Sequence, residues 1–556
     1  MITKELSELI NDVLDVKITV ITSNRPDLCD YQIDEAFKLA KELHKSPFEI
    51  ANDIVGKINT ISNINDIFDK VEVVNGFINL TLSNKYINKM IKKIHDSNKY
   101  GIIEDNKKVI IDYGGPNVAK PLHVGHLRSA IIGESIKRIL RYKGNEVIGD
   151  VHLGDYGLQI GEVIYAIQHD NIKDEAITLE YLNEAYPRMS GICKDNEDIK
   201  HECEEITKKM QEGDPEYNRL CDIICDVSIN DIKNIYKDLD VSFELWESEK
   251  SAYKYIPELE ELVKNKGLIY ESQGAQVIDV GEETDAKEIP PMIFKKSNGA
   301  YLYGTTDMAT IYDRENKYQP DNMLYITDDR QSMHFTQVFR ASYKAGITDA
   351  VLEHKGYGTV NGVDGKPFKT RAGNAPSLSE LLKEVTDIFI DKKEDNKNMS
   401  SIDLNIIMNS IIKFADLQNN LTNDYIFDIN KFSNTSGKTG PYMQYTVLRL
   451  KKILDSESKS NELSDNIYND VDRNLRLKII GLSNAIDKAY ENRMPSYIVD
   501  YIYDLANEAN NFYQNNHIAG LDDVEKKNDW LYILNLTVNI LTDMLELIGI
   551  EIPSYM

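Results

Sequence analysis

The segment Pro121-Leu-His-Val-Gly-His126 places two imidazoles three residues apart, and Lys120 comes directly before it. The residues that follow have helical spacing, so His123 and His126 should lie on one face of a first helical turn. A helix N-terminus favours phosphate through its free N–H groups and its dipole. Two imidazoles and a lysine at this point suit attack on the α-phosphorus of ATP, where charge on the phosphate oxygens must be neutralised. Gly125 would let the nucleotide approach the backbone without meeting a Cβ.

A His-x-x-His pair has two other common interpretations, a zinc site and a plain helix cap. The context favours phosphate binding, because a predicted strand and a loop rich in Gly and Pro come before the histidines. The five cysteines contain no CxxC pair, although Cys221 and Cys225 are one helical turn apart with His201 and Cys203 upstream. Paired CxxC spacing is the strong sign of structural zinc, so we expect neither structural zinc nor another metal held by the protein.

The elements that must position the histidines form a strand–loop–helix–strand pattern. Lys108–Tyr113 is a short, nearly continuous apolar run, as expected for a strand inside a parallel sheet. A helix is predicted from about Val124 to Tyr142, with Gly144 at its C-terminal end, and strand character resumes at Glu146–Asp150. The pattern predicts a βαβ unit, so the fold class is α/β with a Rossmann-like parallel sheet at its core.

Changes in composition and in predicted secondary structure along the chain divide it into four predicted parts. The first mixes short strands and helices, the second carries the βαβ unit and a mostly helical, acidic insertion at 160–265, and the last is helical almost to its end. Strand signals return in the second part at Ala275–Val280, Ala300–Tyr303 and Met323–Thr327. The predicted parts are a small N-terminal α+β domain (1–105), a catalytic α/β domain with an insertion (106–375), a connecting segment (376–400) and an all-helical C-terminal domain (401–556).

Charge and hydropathy narrow the classes of function. The chain has 91 acidic and 64 basic residues and a formal net charge of −27, which argues against a general nucleic-acid binder. The stretch from Asn106 to Asn145 reverses this balance, with eight basic and two acidic residues that predict a local positive field around the histidines. No apolar run approaches the ~18–20 residues that span a bilayer, and the acidic start lacks the features of a signal peptide. We therefore expect a soluble, cytoplasmic protein.

The segment DYGGPNVAKPLHVGHLRSAIIGESIKRIL (112–140) resembles the first signature of the arginyl-tRNA synthetases, a family within the class I aminoacyl-tRNA synthetases. Its Pro-Asn-Val-Ala-Lys-Pro portion is longer and more selective than the two histidines alone. Further segments resemble that family in the same order along the whole chain. They are NRPDLCDYQIDEAFKLAKELHKSPFEIA (24–51), NGFINLTLS (75–83), VHLGDYGLQIG (151–161), FELWESE (243–249), LYGTTDMATIYDR (302–314), YITDDRQSMHFTQVF (325–339), GKPFKTRAG (365–373), GKTGPYMQYTVLR (437–449) and the final SYM (554–556).

The resemblance implies ATP carried with Mg²⁺, L-arginine and tRNA-Arg as the substrates, and it implies that activation of arginine to arginyl-adenylate requires bound tRNA. The implied ATP-binding residues are Pro116, Leu122, His123, Gly125, His126 and Lys369. Lys120, Lys369 and Arg371 are expected to act with the two histidines in catalysis, by neutralising charge on the triphosphate. The second class I signature is replaced here by Lys369-Thr-Arg-Ala-Gly373, and Lys120 is then expected to supply the second cation.

An arginine pocket needs planar carboxylates around the guanidinium, with an aromatic or amide neighbour. The predicted arginine-binding residues are Asp112, Asn117, Glu249, Tyr303, Asp307 and Gln331. The resemblance places Glu249, Tyr303 and Asp307 at the guanidinium, with the two amides nearer the α-amino group. Taken singly, each of these three has an ordinary structural alternative, as a surface charge, a core aromatic or a helix cap.

The helical C-terminal domain is expected to bind the anticodon. Tyr442, Gln444, Tyr445 and Arg449 offer stacking and polar contacts suited to unpaired bases. The alternative for the tyrosines is that they pack a helical bundle. We expect the protein to be a monomer, with tRNA-Arg and L-arginine as its partners and no membrane association.

Four other functions share parts of this pattern. A nucleotidyl transferase for a cofactor precursor has a similar ATP site, but such enzymes are usually far shorter. A synthetase for an apolar amino acid would leave Glu249 and Asp307 unpaired. A non-catalytic paralogue that binds RNA or acts in regulation would not need intact histidines, although Gly114-Gly115 in place of the family's usual Ser-Ser predicts the loss of a hydroxyl contact. A specialised duplicate that resists an arginine-mimicking inhibitor would carry the same signature.

Overall fold

The structure, a computed structural model, describes residues 2–366, 377–392, 394–457, 462–518 and 520–556. These residues group into two compact units. One unit combines Met1–Glu104 with Thr435–Met556, and the other is the continuous stretch Asp105–Asn434. The predicted fold class, an α/β core with an α+β N-terminal region and a helical C-terminal region, is confirmed.

The N-terminal part of the first unit is an antiparallel sheet with helices. Its elements are α1 (Ile2–Asn11), β1 (Ile21–Thr22), β2 (Tyr31–Ile33), α2 (Glu35–Leu43), α3 (Pro47–Ile58), α4 (Ile64–Ile67), β3 (Phe68–Val74), β4 (Phe77–Leu82) and α5 (Asn84–Asp96). The strands pair in the order β1-β2-β4-β3. Asn75 and Gly76 have positive φ angles of 52° and 88° and form the two-residue turn that pairs Val74 with Phe77.

The second unit carries the parallel sheet. Its elements are β5 (Lys108–Tyr113), α6 (Val124–Tyr142), β6 (Glu146–Asp150), α7 (Leu158–His169), α8 (Leu179–Asp195), α9 (Glu197–Gln211), α10 (Pro215–Asp238), α11 (Glu249–Tyr253), α12 (Ile256–Asn265), β7 (Ile269–Ser272), β8 (Ala275–Ile278), β9 (Met292–Lys295), α13 (Tyr303–Tyr318), β10 (Asn322–Asp328), α14 (Ser332–Ala345), β11 (Val351–Tyr357), β12 (Val360–Asn361), α15 (Leu378–Asp391), α16 (Ser401–Leu417), β13 (Tyr425–Ile426) and α17 (Ile429–Phe432).

The main sheet of this unit has the strand order β11-β10-β5-β6, and all of its neighbouring strands are parallel. Ile110 and Ile111 of β5 are fully buried, which explains the nearly continuous apolar run in this strand. The β5–α6–β6 unit predicted from the sequence is confirmed. Because the strands are parallel, Asp112 and Asp150 lie side by side at their carboxyl ends, where open α/β sheets bind ligands.

Two of the three returning strand signals are confirmed, by β8 and β10. The strand predicted at Ala300–Tyr303 is wrong. Tyr301 forms only an isolated bridge to Lys295, Leu302 is the N-cap of α13, and Tyr303 already belongs to that helix. Tyr301 and Tyr303 favour a strand by their intrinsic preference. That preference is outweighed by the free energy gained when the apolar face of α13, which includes Met308, is buried.

The second unit continues beyond the predicted connecting segment at 376–400. Asn396 is buried and its side chain donates to the carbonyl of Phe389 (2.8 Å). The next helix, α16, packs against α6 and α15. These contacts keep the chain in the same unit as far as Asn434, and the division into four functional domains stays a prediction.

The C-terminal part of the first unit is helical. Its elements are α18 (Gly440–Asp455), α19 (Asp470–Ile480), α20 (Leu482–Asn492), α21 (Ser496–Asn515) and α22 (Val524–Leu547). Arg473 on α19 joins this part to the N-terminal sheet, because its guanidinium pairs with Asp30 (2.7 Å) and donates to the carbonyl of Leu82 (3.0 Å). Among the described residues, none of the helices combines the length and apolar character that a bilayer span requires.

Candidate active site

The loop that follows β5 packs closely against the chain leaving β6. Gly114 has a φ angle of +69°, and a Cβ added to Gly115 would lie 2.6 and 2.4 Å from the carbonyl oxygens of Val151 and His152. A serine at position 115 would therefore require the backbone to move, and one at position 114 would be strained. The Gly-Gly pair is explained by this tight packing.

Pro116 and Asn117 lie on the same loop and connect it to β6. The N–H of Val118 donates to the carbonyl of Gly154 (2.9 Å), and the N–H of Gly154 donates to the carbonyl of Pro116 (3.1 Å). Pro116 is buried, whereas the side chain of Asn117 is exposed. The bonds place Asn117 near the carboxyl end of the sheet, where it is available to a ligand.

His123 and His126 form a reciprocal cap on α6. Nδ1 of His123 accepts a hydrogen bond from the N–H of Gly125 (3.0 Å), and Nδ1 of His126 accepts from the N–H of His123 (3.2 Å). The ring centroids are 4.0 Å apart. Because Nδ1 is the acceptor in both rings, each neutral imidazole carries its proton on Nε2 and can donate it. A Cβ on Gly125 would lie 2.7 Å from Cε1 of His123, so the glycine makes room for the capping ring.

Both imidazoles are neutral near pH 7. Burial, together with the nearby His123 and Lys120, lowers the pKa of His126 to about 3. Burial and Lys120 also lower the pKa of His123. Neutral rings do not repel Lys120, so two Nε2–H donors and one ammonium group can act on the same phosphate.

Two other predicted residues stand at the edges of this site. The ammonium group of Lys120 lies 4.9 Å from the centroid of the Tyr186 ring on α8. Leu122 is buried, and its carbonyl accepts a hydrogen bond from the N–H of Leu378 (2.7 Å). The loop that carries both residues is thus held between the inserted helices and the start of α15.

Lys369 and Arg371, which the sequence predicts as catalytic cations, lie outside the described residues. The chain returns to the described part at Ser377, which forms an isolated antiparallel bridge with His123. The roles of both cations stay predictions.

A second group of predicted residues lies where α11 and α13 begin. Glu249 is the first residue of α11, and Tyr303 and Asp307 occupy the first two turns of α13. Burial raises the pKa of Glu249 to about 7, with further contributions from Asp307 and Asp155. Two carboxylates in one partly buried site repel each other, so the site favours a cation between them.

His334 on α14 completes this group, although sequence analysis did not select it. Its Nε2 donates to Oδ2 of Asp307 (2.5 Å), and its ring centroid is 4.6 Å from that of Tyr303. Gln331, an exposed residue, lies just before α14. The segment 325–339, which resembles the family, contains His334, but a single histidine in a sequence gives no sign of its partner in the fold.

Asp112 is paired with Arg314 in the structure, and its predicted role in binding arginine stays a prediction. Nη2 of Arg314 donates to Oδ2 of Asp112 and to Oδ2 of Asp150, at 2.6 Å in both cases. Asp112, Asp150 and His152 are the group of possible metal ligands found among the described residues. The guanidinium of Arg314 already supplies the cation between the two carboxylates.

The positive stretch around the histidines is largely neutralised by acidic residues within it, directly beside it and in more distant segments of the same unit. Arg128 and Lys137 are fully buried. The ion pairs are Lys107–Asp105, Lys108–Glu146, Arg128–Asp416, Lys137–Glu134, Arg138–Asp240 and Arg141–Glu244. The expected local positive field is therefore much weaker than the sequence predicts, because most of these charges are paired within the unit.

The four residues predicted to contact tRNA lie on α18 in the other unit. Tyr445 is 40% exposed, and the guanidinium of Arg449 lies 5.3 Å from the ring of Tyr513. The hydroxyl of Tyr442 accepts from the side chain of an asparagine, Asn510. Gln444 is fully buried and donates to a backbone carbonyl near the C-terminus (2.7 Å), so it presents no surface to a nucleotide.

The parallel sheet and the start of α6 together define a class of site. A parallel sheet whose first strand leads through a glycine loop into a helix with two histidine donors in its first turn is typical of a nucleotide-binding unit. The family model described as tRNA synthetases class I (R), catalytic domain, matches residues 90–429. The DALR anticodon binding domain matches residues 443–556, and the arginyl tRNA synthetase N terminal domain matches residues 1–82.

Individual relatives agree over the full length. The chain is 39% identical to an arginine–tRNA ligase of Alkaliphilus oremlandii, with 100% of both chains covered. It is 41% identical to that of Agathobacter rectalis, covering 97% of this chain and 96% of the relative. The crystal structure of arginyl-tRNA synthetase from Plasmodium falciparum matches with a TM-score of 0.84 and 25% identity over 100% of this chain and 99% of that one.

The chain therefore belongs to the arginyl-tRNA synthetase family. Membership makes it an aminoacyl-tRNA ligase that uses ATP and charges tRNA with arginine.

Proposed function

We propose that the chain joins L-arginine to tRNA-Arg in two steps, with the first chemistry at the N-terminus of α6. The carboxylate of arginine attacks the α-phosphorus of ATP, and pyrophosphate leaves. The 2′-hydroxyl of the terminal adenosine of tRNA then attacks the carbonyl carbon of arginyl-adenylate, its proton is released, and AMP leaves as the new ester bond forms. Mg²⁺ enters with ATP as part of that substrate.

The observation that carries this mechanism is the pair of neutral imidazoles at the start of α6. Their Nδ1 atoms are used in the cap, which leaves His123 and His126 with Nε2–H donors for phosphate oxygens. Lys120 adds a positive charge beside them. Donors fixed in place before the reaction stabilise charge that develops in the transition state without reorganisation. The first step requires no general base, because the arginine carboxylate is already ionised.

Selection of arginine is assigned to Glu249 and Asp307. Their mutual repulsion is relieved when a planar guanidinium lies between them, and an apolar side chain would leave both charges unpaired. Tyr303 is exposed and would cover one face of the guanidinium. Asn117 and Gln331, which are also exposed, remain the proposed contacts of the α-amino group.

The tRNA is proposed to contact α18 through Tyr445 and Arg449. Tyr445 has the exposed ring that stacking on an unpaired base requires. We further propose that arginine activation depends on bound tRNA, and that the protein works as a cytoplasmic monomer. Sedimentation of the free protein tests the monomer separately from activity.

ATP–pyrophosphate exchange tests the function. The exchange should be measured with each of the twenty amino acids, with and without total tRNA. We expect exchange with arginine alone, and only when tRNA is present. Exchange with a different amino acid would contradict the pocket assignment while keeping the ATP site, and exchange without tRNA would contradict only the dependence on tRNA.

A folded protein that shows no exchange would contradict the catalytic proposal and favour the non-catalytic paralogue. His201→Ala is a suitable control for histidine variants, because His201 is a largely exposed residue on α9 with a side chain that is 72% exposed. We expect this variant to match the unaltered protein in exchange rate.

A further inference from the structure

We propose that His334 is a positioning residue of the arginine pocket, which holds the carboxylate of Asp307 in the orientation that binds the guanidinium. The inference rests on the proposed placement of the guanidinium at Asp307 and Glu249. The bond between Nε2 of His334 and Oδ2 of Asp307 is 2.5 Å long, and both side chains are largely buried, with exposed fractions of 13% and 23%. It joins α14 to α13.

The bond gives the two carboxylate oxygens of Asp307 different roles. Oδ2 accepts from His334, and Oδ1 accepts no hydrogen bond from another described residue. A guanidinium needs a carboxylate oxygen that faces it and has a free lone pair. With Oδ2 fixed, the carboxylate plane is fixed as well, so Oδ1 is the oxygen left for the substrate.

Asp307 needs such support because of its neighbour. Burial raises the pKa of Glu249, and the nearby charge of Asp307 raises it further, so the two carboxylates lie within electrostatic reach of each other. Without a restraint, the short side chain of Asp307 would turn away from Glu249 toward water while the pocket is empty. Binding of arginine would then have to pay for turning it back, whereas a carboxylate held in advance binds without that reorganisation.

His334 also contacts the aromatic member of the pocket. The centroid of its ring lies 4.6 Å from that of Tyr303, at an interplanar angle of 60°. Tyr303 is 60% exposed and therefore has few other restraints. One imidazole thus restrains both pocket residues that α13 provides.

The helix that carries His334 is itself firmly held. Phe335, Val338 and Ala341 of α14 are buried in the core of the unit. The ring of Phe335 stacks on that of His354 with centroids 4.8 Å apart, and His354 bonds to the hydroxyl of Thr327 (2.8 Å) on β10. A side chain can orient its neighbour only when its own position is fixed, and α14 meets that condition.

A double-mutant cycle tests this role. His334→Leu removes the donor, and Asp307→Asn removes the charge that the donor orients. In tRNA charging with varied arginine, we expect His334→Leu to raise the KM for arginine about tenfold or more, since a hydrogen bond to a charged group is lost. The KM for ATP and kcat should change less than about threefold, because the α6 site is untouched.

In the Asp307→Asn background the same His334→Leu change should alter the KM for arginine less than about twofold, because His334 acts through Asp307. If the two substitutions raise the KM for arginine by independent factors that multiply in the double variant, the proposal is wrong. It is also wrong if His334→Leu lowers only kcat or raises only the KM for ATP. His334→Gln keeps an N–H donor and should recover part of the lost affinity. His201→Ala serves as the control.

Arginine binding can also be followed without catalysis, as the rise in melting temperature that arginine produces in each variant. This second readout covers variants too slow to assay, and the melting temperature without arginine shows whether they fold. If Asp307→Asn leaves the KM for arginine unchanged, the proposed pocket itself is wrong. If Asp307→Asn raises that KM and His334→Leu does not, only the role of His334 is wrong.

Discussion

Each of the two units contains a buried arginine that binds two carboxylates. In the unit formed by Met1–Glu104 and Thr435–Met556, each guanidinium nitrogen of this arginine has a hydrogen-bond partner. Arg476 donates from Nε to Asp472 (2.7 Å), from Nη1 to Asn88 (2.8 Å) and from Nη2 to Asp529. Arg476 and both aspartates are fully buried. These bonds link α19, α22 and α5, so the cluster joins the N-terminal part of the unit to its C-terminal helices.

The arginine of the catalytic unit is satisfied only in part. Arg314 donates from Nη2 to Asp112 and Asp150, but its Nε and Nη1 have no hydrogen-bond partner among the described residues. Oδ1 of Asp313 and both ring nitrogens of His152 are also buried and have no hydrogen-bond partner among the described residues. These unpartnered atoms belong to residues that line one cavity.

The difference separates a cluster that stabilises the fold from one that supports a site. A buried donor without an acceptor costs about 1–3 kcal/mol, so the Arg314 cluster is the less favourable of the two. Tyr303, Asp307 and Arg314 follow one another on one face of α13, with four residues from the first to the second and seven from the second to the third. The pairing of Arg314 with Asp112 of β5 and Asp150 of β6 anchors the helix that carries the proposed arginine pocket, and structures that hold functional groups commonly carry such unfavourable features.

The largest effect should come from breaking the saturated cluster. Arg476→Leu leaves Asp472 and Asp529 buried without a counter-charge, and we expect the free energy of unfolding of that unit to fall by about 3–5 kcal/mol. Chemical denaturation followed by circular dichroism measures the change. Arg25→Leu is the matched control, since Arg25 forms an exposed pair with Asp27, and a comparable loss in that variant would show that the cluster has no special role.

The next largest effect should be on the rate of ATP–pyrophosphate exchange by the catalytic unit, with little change in its stability. His123→Ala removes one Nε2–H donor, and we expect the rate of ATP–pyrophosphate exchange to fall by about 100-fold. His123→Asn keeps an N-cap acceptor, so it should restore the stability of α6 but not the full exchange rate. A fall of less than about threefold in His123→Ala would contradict the assigned role in phosphate binding.

A smaller effect distinguishes the two arginines directly. Arg314→Lys keeps the charge but cannot reproduce the geometry of a guanidinium shared by two carboxylates. We expect the KM for arginine to rise about tenfold while the KM for ATP stays unchanged, because α13 loses its anchor. Steady-state charging measures both constants. Arg476→Lys should instead lower the melting temperature and leave both constants unchanged, and the reverse pattern would contradict the division of roles.

The smallest effect is a pH dependence of arginine binding. With its pKa raised to about 7, Glu249 is mostly protonated at pH 6 and mostly ionised at pH 8. Because the guanidinium binds the ionised form, the KM for arginine should fall about tenfold from pH 6 to pH 8. His126, with a pKa of about 3, stays neutral over this range, so its titration should not contribute to the change in KM between pH 6 and pH 8. Glu249→Gln should remove the dependence, and a KM that is independent of pH in the unaltered protein would contradict it.

Sequence analysis correctly predicted elements that depend on neighbouring residues. The apolar run of β5, the helical spacing of α6 and the Gly144 stop all describe one βαβ unit, which the structure contains. The strand expected at Ala300–Tyr303 failed because packing in the unit gives Tyr303 to a helix. The field expected around the positive stretch at 106–145 was overestimated for a similar reason, since three of its neutralising acids, Asp240, Glu244 and Asp416, come from distant segments.

The arrangement at the start of α6 was determined by the sequence alone, because a cap is formed by residues that are close in the chain. His123, Gly125 and His126 need only a helix to begin at Val124 for both Nε2–H groups to become available. The surroundings of the proposed arginine-binding residues were decided by the tertiary structure. Asp307 meets a histidine on the next helix, and Asp112 meets Arg314 from a remote part of the chain. Neither contact leaves a local pattern, because each depends on how the sheet and its helices pack together.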